Sequence, residues 1–93
     1  MELGLKGKSV LITGASKGIG LAFAKAFTAE GSNVHLAARS ADLLATASNE
    51  ITSRYGVRVT THVCDLRAEG AVKRLADACA DVDVLVNNAG DIP

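Results

Sequence analysis

The stretch TGASKGIG, at residues 13–20, is the part of this sequence that decides the fold. The run before it, SVLIT at residues 9–13, is typical of a short buried strand. Apolar residues at 19, 22, 23, 26 and 27 follow with the spacing of one helix face. The glycines therefore lie where a strand turns into a helix. In that setting the first N–H groups of the helix can bind phosphate groups, so the stretch predicts a phosphate-binding loop.

Each glycine of this loop has its own predicted role. Gly14 makes the tight turn out of the strand, Gly18 lets the backbone approach a diphosphate, and Gly20 lets the helix pack closely on the sheet. The spacing is G-x-x-x-G-x-G. The alternative is a glycine-rich turn without a ligand, which the strand–helix setting disfavours.

Composition excludes several classes of protein. Ninety-three residues form one small domain at most, and 48% apolar residues are enough for a core. Ten basic and ten acidic residues give no net charge, which argues against general binding to nucleic acid or anionic membranes. Cys64 and Cys79 lack metal-ligand spacing, so the sequence predicts reduced, buried thiols in a cytoplasmic protein without a metal site. The N-terminal residues lack the order of a signal peptide.

Strands and helices are predicted to alternate along the chain. The predicted strands are 9–13, 33–38, 57–64 and 82–86, and the predicted helices are 18–30, 41–55 and 68–80. Gly31 and Gly56 end the first two helices. The expected inward residues of the second and third helices are Leu43, Leu44, Ala47 and Ile51, and Val72, Leu75, Ala76 and Cys79. The fourth strand is expected to be buried on both faces, and His35 to be a packed or edge histidine.

This order predicts an α/β fold with a doubly wound parallel sheet and strand order 3-2-1-4. The first two helices would cover one face and the third helix the other. Ligands of such sheets bind beyond the carboxyl ends of the strands, where the strand order reverses. Four polar stretches, 13–20, 38–40, 65–66 and 87–90, follow strand ends. We expect them to form one binding site.

TGASKGIG together with NNAG at residues 87–90 resembles the short-chain dehydrogenase/reductase family over essentially the whole chain. The resemblance implies a Rossmann-type fold that binds NAD(P). Asp65 would contact the adenine amino group, the Leu66 backbone the adenine ring, and Asn88 with its neighbours the ribose. Asn87 and Asn88 have a purely structural alternative as an amide clamp. The expected cofactor-binding residues are Gly14, Ala15, Ser16, Lys17, Gly18, Ile19, Gly20, Arg39, Ser40, Asp65, Leu66, Asn88, Ala89 and Gly90.

The end of the second strand indicates which dinucleotide is preferred. A binder of NAD(H) places an acid there to accept a hydrogen bond from the ribose 2′-hydroxyl. This chain has Ala38, Arg39 and Ser40 instead. Arg39 suits a 2′-phosphate, and Lys17 in the glycine loop adds a second positive charge. The alternative is that both are solvated surface charges, but their joint placement favours NADP(H) over NAD(H).

The catalytic residues of the family are absent. The family uses a Ser, and also a Tyr with a Lys four residues after it. The one tyrosine of this chain is Tyr55, and the residue four positions later is Val59 instead of a lysine. The resemblance therefore implies that residues 1–93 are the N-terminal part of one NAD(P)-binding domain, whose remainder is absent from this chain, and that they are inactive alone. The parent enzyme would be a homo-oligomer that transfers hydride between the nicotinamide and a carbonyl or secondary alcohol. The alternative is a stand-alone dinucleotide-binding or interaction module without catalysis.

Overall fold

A computed structural model describes residues 4–88 of the chain. Strands and helices alternate as the sequence predicts: β1 (Ser9–Thr13), α1 (Gly18–Ala29), β2 (Asn33–Ala38), α2 (Ala41–Arg54), β3 (Val59–Val63), α3 (Ala71–Ala78) and β4 (Val84–Val86). The four strands form one parallel sheet in the order β3-β2-β1-β4, which confirms the predicted topology. Among these residues, no helix has both the length and the apolar character to cross a membrane.

The strand register brings the carboxyl ends of the strands to one edge of the sheet. Thr13 at the end of β1 pairs with Ala37, and Ala38 at the end of β2 pairs with Val63. β1 also pairs with β4, through Ile12 and Val86. The segments that follow all four strands therefore meet at this edge, as a shared site requires.

The larger core lies between the sheet and the helices α1 and α2. Its apolar side chains come from alternate positions of β1 and β2, from the loop after β1 and from one stripe of each helix: Val10, Ile12, Ala15, Ala24, Val34, Leu36, Leu44, Ala47 and Ile51. A smaller cluster covers the other face of the sheet, where Leu11 and Ala37 meet Leu75 and Cys79 at α3. The layering of two helices on one face and one on the other is confirmed.

The apolar face of α1 at residues 19, 22, 23, 26 and 27 is not the face that the helix buries, although Phe27 packs against the larger core. The helix buries Gly20, Ala24 and Thr28, whereas Ile19 and Phe23 are 68% and 41% exposed. The buried stripe consists of small residues because they let the helix axis lie close to the sheet. Ile19 and Phe23 lie on the neighbouring, exposed face, while Leu21 and Phe27 are partly buried against the core. Apolar spacing alone does not select the buried face, because this helix carries apolar residues on more than one face.

The inward positions of α2 and α3 are only partly as predicted. Leu43 is 42% exposed, and Leu44 alone of this pair enters the core, since adjacent helical residues point in different directions. In α3 the buried positions are Ala71, Leu75 and Cys79, while Val72 is 60% exposed and Ala76 is also exposed. Leu44, Ala47 and Ile51 of α2 and Leu75 and Cys79 of α3 are therefore confirmed as inward residues, whereas Leu43, Val72 and Ala76 are not.

The boundaries of the later elements also differ from the prediction. Helix α3 begins only after Gly70, which has a φ of 76° and is the N-cap, because the preceding residues form turns. β3 and β4 are shorter than predicted, and Leu85 in β4 is 62% exposed, so the expectation that β4 is buried on both faces is wrong. Among the described residues, α3 packs over Leu11 and Ala37 in the central strands and leaves Leu85 uncovered.

Candidate dinucleotide site

A groove of about 250 Å³ lies at the carboxyl ends of the strands. The last two residues of β2, the segments that follow all four strands, and Leu43 of α2 line it: Gly14, Ser16, Lys17, Ala37, Ala38, Arg39, Ser40, Leu43, Cys64, Asp65, Leu66, Arg67 and Asn88. The described parts of the four polar stretches therefore converge on one groove, the fourth stretch through Asn88.

The expected binding residues divide into three groups. Those that line the groove are Gly14, Ser16, Lys17, Arg39, Ser40, Asp65, Leu66 and Asn88. Ala15 and Gly20 are buried beneath the loop, while Gly18 and Ile19 are exposed at the start of α1, outside the groove lining. Ala89 and Gly90 lie outside the described residues.

The end of α1 that faces the glycine loop has the electrostatic character of an anion site. Lys17 is its N-cap, no side chain caps the helix, and its first turn contains no acidic residue. The start of α2 is the opposite: the Ser40 hydroxyl accepts a hydrogen bond from the Leu43 N–H at 3.2 Å, and Asp42 lies in the first turn. The positive end of the α1 dipole is thus left for an anion to compensate.

The loop itself is shaped by close backbone contacts. Gly14 has a φ of 63° and Gly18 a φ of 60°, both in the left-handed region that glycine accepts without strain. A Cβ atom on Gly20 would collide with the Gly14 carbonyl group and lie 2.8 Å from the Asn88 side-chain nitrogen. Gly20 therefore allows the helix to approach the strand end, as its predicted role requires.

Thr13 joins the end of β1 to the end of β4. Its hydroxyl accepts a hydrogen bond from the Asn88 N–H at 2.9 Å and donates one to Asn87 Oδ1 at 2.9 Å. The Asn88 side-chain amide donates to the Gly14 carbonyl oxygen at 3.5 Å. Asn87 does not line the groove, so its geometry is that of the amide clamp, whereas Asn88 both clamps the strands and forms part of the wall.

Positive charge predominates along the groove. Lys17, Arg39 and Arg67 line it with one carboxylate, Asp65. Asp65 accepts two hydrogen bonds from the Arg67 guanidinium, at 3.0 and 3.1 Å, and one from the Arg67 N–H at 2.9 Å. These bonds, with a smaller contribution from the charge of Arg39, lower the pKa of Asp65 to about 2. The carboxylate is therefore ionised at neutral pH and neutralised chiefly by Arg67.

Arg67 and Leu43 are groove residues that the sequence did not indicate. The two-residue spacing in Asp65-Leu66-Arg67 could have predicted the position of Arg67. An Asp side chain often accepts a hydrogen bond from the backbone N–H two residues later. Tyr55, the one tyrosine of the sequence, lies elsewhere. It caps the C-terminus of α2 and packs against the larger core, 5.8 Å from Arg54 Cζ.

Comparison with known proteins places this fold and groove in a family. The chain is 42% identical over 86 residues to a 3-dehydrosphinganine reductase of Arabidopsis thaliana, covering 92% of this chain and 26% of that protein. Its fold superimposes on that of L-sorbose reductase from Gluconobacter frateurii, whose structure is complexed with NADPH and L-sorbose. The TM-score is 0.85 and the sequence identity 38%, and the match covers 97% of this chain and 36% of that chain. A metagenomic short-chain oxidoreductase in complex with NADP gives a TM-score of 0.79 at 36% identity, covering 90% of this chain and 39% of that chain.

The chain spans about a quarter of the length of the curated relatives it matches. The family model for short chain dehydrogenase matches residues 8–92, which is nearly the whole sequence. The match includes every strand, every helix and the complete described part of the groove. The chain therefore belongs to the short chain dehydrogenase family.

Proposed function

We propose that this chain is the NADP(H)-binding part of an oxidoreductase that transfers hydride between the nicotinamide and a carbonyl or secondary alcohol. The observation that carries the proposal is the placement of Arg39 directly after β2, in a groove shared with Lys17 and the uncapped start of α1. No carboxylate stands at the strand end, where an NAD(H) binder needs one.

The groove residues fit the parts of such a dinucleotide. The backbone of the loop from Gly14 to Gly18 and the start of α1 suit the diphosphate, since helix N-termini bind phosphate groups. The Arg39 guanidinium suits a 2′-phosphate, and Lys17 adds charge on the glycine-loop side. Asp65 and Leu66 form the wall expected to hold the adenine, with Arg67 sharing the Asp65 carboxylate. Bound dinucleotide would supply the hydride acceptor or donor.

Two solved relatives support the dinucleotide. L-sorbose reductase is complexed with NADPH, and the metagenomic oxidoreductase is complexed with NADP. The proposal extends, through the family resemblance, to a longer cytoplasmic and homo-oligomeric protein that acts on a small carbonyl or alcohol. The two cysteines, both free thiols, suit a reducing compartment.

A second candidate function is a binding module without chemistry. It is favoured by one observation: Tyr55 lies at the end of α2, outside the groove, so the family's tyrosine acid/base is lacking among residues 4–88. The two candidates share the dinucleotide and differ in hydride transfer. If the 93-residue chain oxidises NADPH in the presence of an added carbonyl compound, the proposal that this chain is a binding module without chemistry is contradicted.

Calorimetric titration of the 93-residue chain with NADPH and with NADH tests the cofactor assignment. A charge-assisted Arg–phosphate contact contributes about 1.5–3 kcal/mol, so NADPH should bind at least about tenfold more tightly. Adenosine 2′,5′-bisphosphate and adenosine 5′-phosphate, which differ only in the 2′-phosphate, should show the same difference. Equal affinities in both pairs would overturn the NADP(H) preference. Absence of binding by all four ligands to a folded chain would overturn the dinucleotide site.

A further inference from the structure

Two histidines and a cysteine meet on the α3 face of the sheet, outside the groove. His35 lies on β2, His62 on β3, and Cys79 is the C-cap of α3. His35 Nδ1 is 2.9 Å from His62 Nε2, and Cys79 Sγ is 3.5 Å from the same nitrogen. One ligand atom from each residue lies within 4.8 Å of the other two. Possible metal ligands from β2, from β3 and from the end of α3 therefore lie close together.

The spacing of these atoms is close to that of a zinc site. Tetrahedral zinc, with its usual bond lengths to imidazole nitrogen and thiolate sulfur, separates two nitrogens by about 3.3 Å and a nitrogen from a sulfur by about 3.6 Å. The distance from Cys79 Sγ to His62 Nε2, 3.5 Å, agrees with this. The two nitrogens, 2.9 Å apart, must separate slightly, and the sulfur, which lies within 4.8 Å of the His35 ligand nitrogen, must come about as close to that nitrogen as to His62. The donor set suits zinc, because zinc binds imidazole and thiolate together.

The imidazole rings now meet edge to edge. Their centres are 5.2 Å apart and their planes are 19° from parallel, and the short nitrogen–nitrogen distance shows that one ring donates a hydrogen bond to the other. Both side chains are half-buried, and His62 lies on an edge strand. A turn of the rings about their side-chain torsions is therefore needed to aim both lone pairs at one ion.

From this convergence we infer that His35, His62 and Cys79 form a Zn²⁺ site. Zinc would replace the hydrogen bond between the rings with two nitrogen–zinc bonds, and the proton of that hydrogen bond would move, by exchange with solvent, to the other nitrogen of the donor ring. The Cys79 thiol would lose its proton to solvent as the sulfur–zinc bond forms. Three protein ligands leave the fourth position to water. The ion would tie the end of α3 to β2 and β3, which is a stabilising role.

A surface depression gives solvent access to the three-residue cluster, and a nearby carboxylate can partly compensate the charge of a bound ion. A depression of about 110 Å³ is lined by His35 and Asp81, among others, and opens beside the cluster. The charge of Asp81 acts on Cys79, where burial first and then Asp81 raise the pKa of the thiol. The negative charge of Asp81 would also be attracted to a bound cation.

Titration of the metal-free 93-residue chain with Co²⁺, followed by displacement with Zn²⁺, tests the site. We expect one equivalent of Co²⁺ to bind with a sulfur-to-cobalt charge-transfer absorption, and Zn²⁺ to abolish that absorption. Cys79→Ser should remove the absorption. Cys79→Ser and His62→Asn should each weaken Zn²⁺ binding at least about tenfold, since even outer-shell substitutions cost 10–100-fold. Cys64→Ser is the matched control and should retain both the absorption and the Zn²⁺ affinity, because Cys64 packs beside the same apolar cluster but is not one of the three residues whose ligand atoms converge.

Circular dichroism checks that each variant folds. If Cys79→Ser does not fold, His35→Gln takes its place as a variant that lacks one ligand. Zn²⁺ should also raise the melting temperature of the wild-type chain, and a chelator should reverse that rise. Absence of saturable binding to the folded wild type would overturn the site and leave the cluster as a hydrogen-bonded packing contact. Zn²⁺ binding that is unchanged in Cys79→Ser and in His62→Asn would also overturn the proposed site. Loss of Zn²⁺ binding in a folded Cys64→Ser chain would do the same.

Discussion

Gly20 packs directly against the carbonyl group of Gly14, with no space between them for a side chain. Gly20→Ala should therefore destabilise the fold, because backbone atoms cannot yield as a flexible side chain can. Overpacking of this kind costs about 1–3 kcal/mol in the free energy of unfolding. Urea denaturation measures it. Gly56→Ala is the control, since a Cβ there meets nothing within 4 Å and should change stability by less than about 0.5 kcal/mol. Equal stability of the two variants would contradict the role of Gly20.

Gly18 offers a way to separate ligand binding from folding. Its φ is +60° and a Cβ there meets nothing within 4 Å, so Gly18→Asn should fold, because Asn accepts the left-handed conformation. The added side chain should obstruct a diphosphate and weaken NADPH binding at least about tenfold. Gly7→Asn is matched in positive φ and in open surroundings but lies before β1, outside the glycine loop at residues 14–20, and it should bind NADPH normally. Unchanged affinity in a folded Gly18→Asn chain would show that this loop does not hold phosphates.

Arg39→Asp should reverse the preference between the two dinucleotides. The substitution removes the guanidinium proposed to bind the 2′-phosphate and places a carboxylate where the ribose 2′-hydroxyl could donate to it. The ratio of the dissociation constants for NADPH and NADH should change at least about tenfold. Arg58→Asp, at an exposed position away from the groove, is the control. An unchanged ratio in Arg39→Asp would remove the basis of the NADP(H) assignment.

Thr13→Val should weaken the connection between β1 and β4. The Thr13 side chain is buried, and its hydroxyl holds both the Asn88 N–H and the Asn87 side chain. Val keeps the shape but leaves these groups without their partner, at a cost of about 1–3 kcal/mol in the free energy of unfolding. Thr46→Val is the control, because that exposed hydroxyl bonds only to its own helix at the Asp42 carbonyl oxygen. If the two variants unfold at the same denaturant concentration, the link contributes nothing.

Arg67→Ala should raise the pKa of Asp65 from about 2 toward its usual 3.8. The rise should be partial, because the backbone N–H of residue 67 still donates to the carboxylate. Since the folded-state pKa is depressed, the stabilisation from this pair is fully present above pH 3.8 and is lost as the pH falls through about 2. NMR titration of the Asp65 carboxyl carbon measures the midpoint. A midpoint that is the same in wild type and variant would show that Arg67 does not hold the carboxylate.

The strand order and the place of the groove could be predicted from the sequence. The glycines at 14, 31 and 56 separate short apolar runs from helical patterns, and alternating strands and helices allow few topologies. Parallel strands present their carboxyl ends at one edge of the sheet. Strand order is therefore enough to assign residues as distant in sequence as Ser16 and Asn88 to one site, and both line the groove.

Helix faces and side-chain clusters could not be predicted in the same way. α1 carries apolar residues on two faces, and the contact between Gly20 and the Gly14 carbonyl selects the small-residue face for burial. The Asp65–Arg67 pair depends on the turn after β3. His35, His62 and Cys79 have no ligand spacing along the chain, and only the strand register and the end of α3 bring them together.

The hydrogen bond between the Asn88 N–H and the Thr13 hydroxyl joins positions 75 residues apart. During synthesis from the N-terminus, the glycine turn leaves the ribosome long before its opposite wall exists. The groove is thus complete only once β4 has docked beside β1. A dinucleotide that binds only the assembled groove would shift the equilibrium toward the docked strand, so the nucleotide supply would influence how much of the chain completes its sheet.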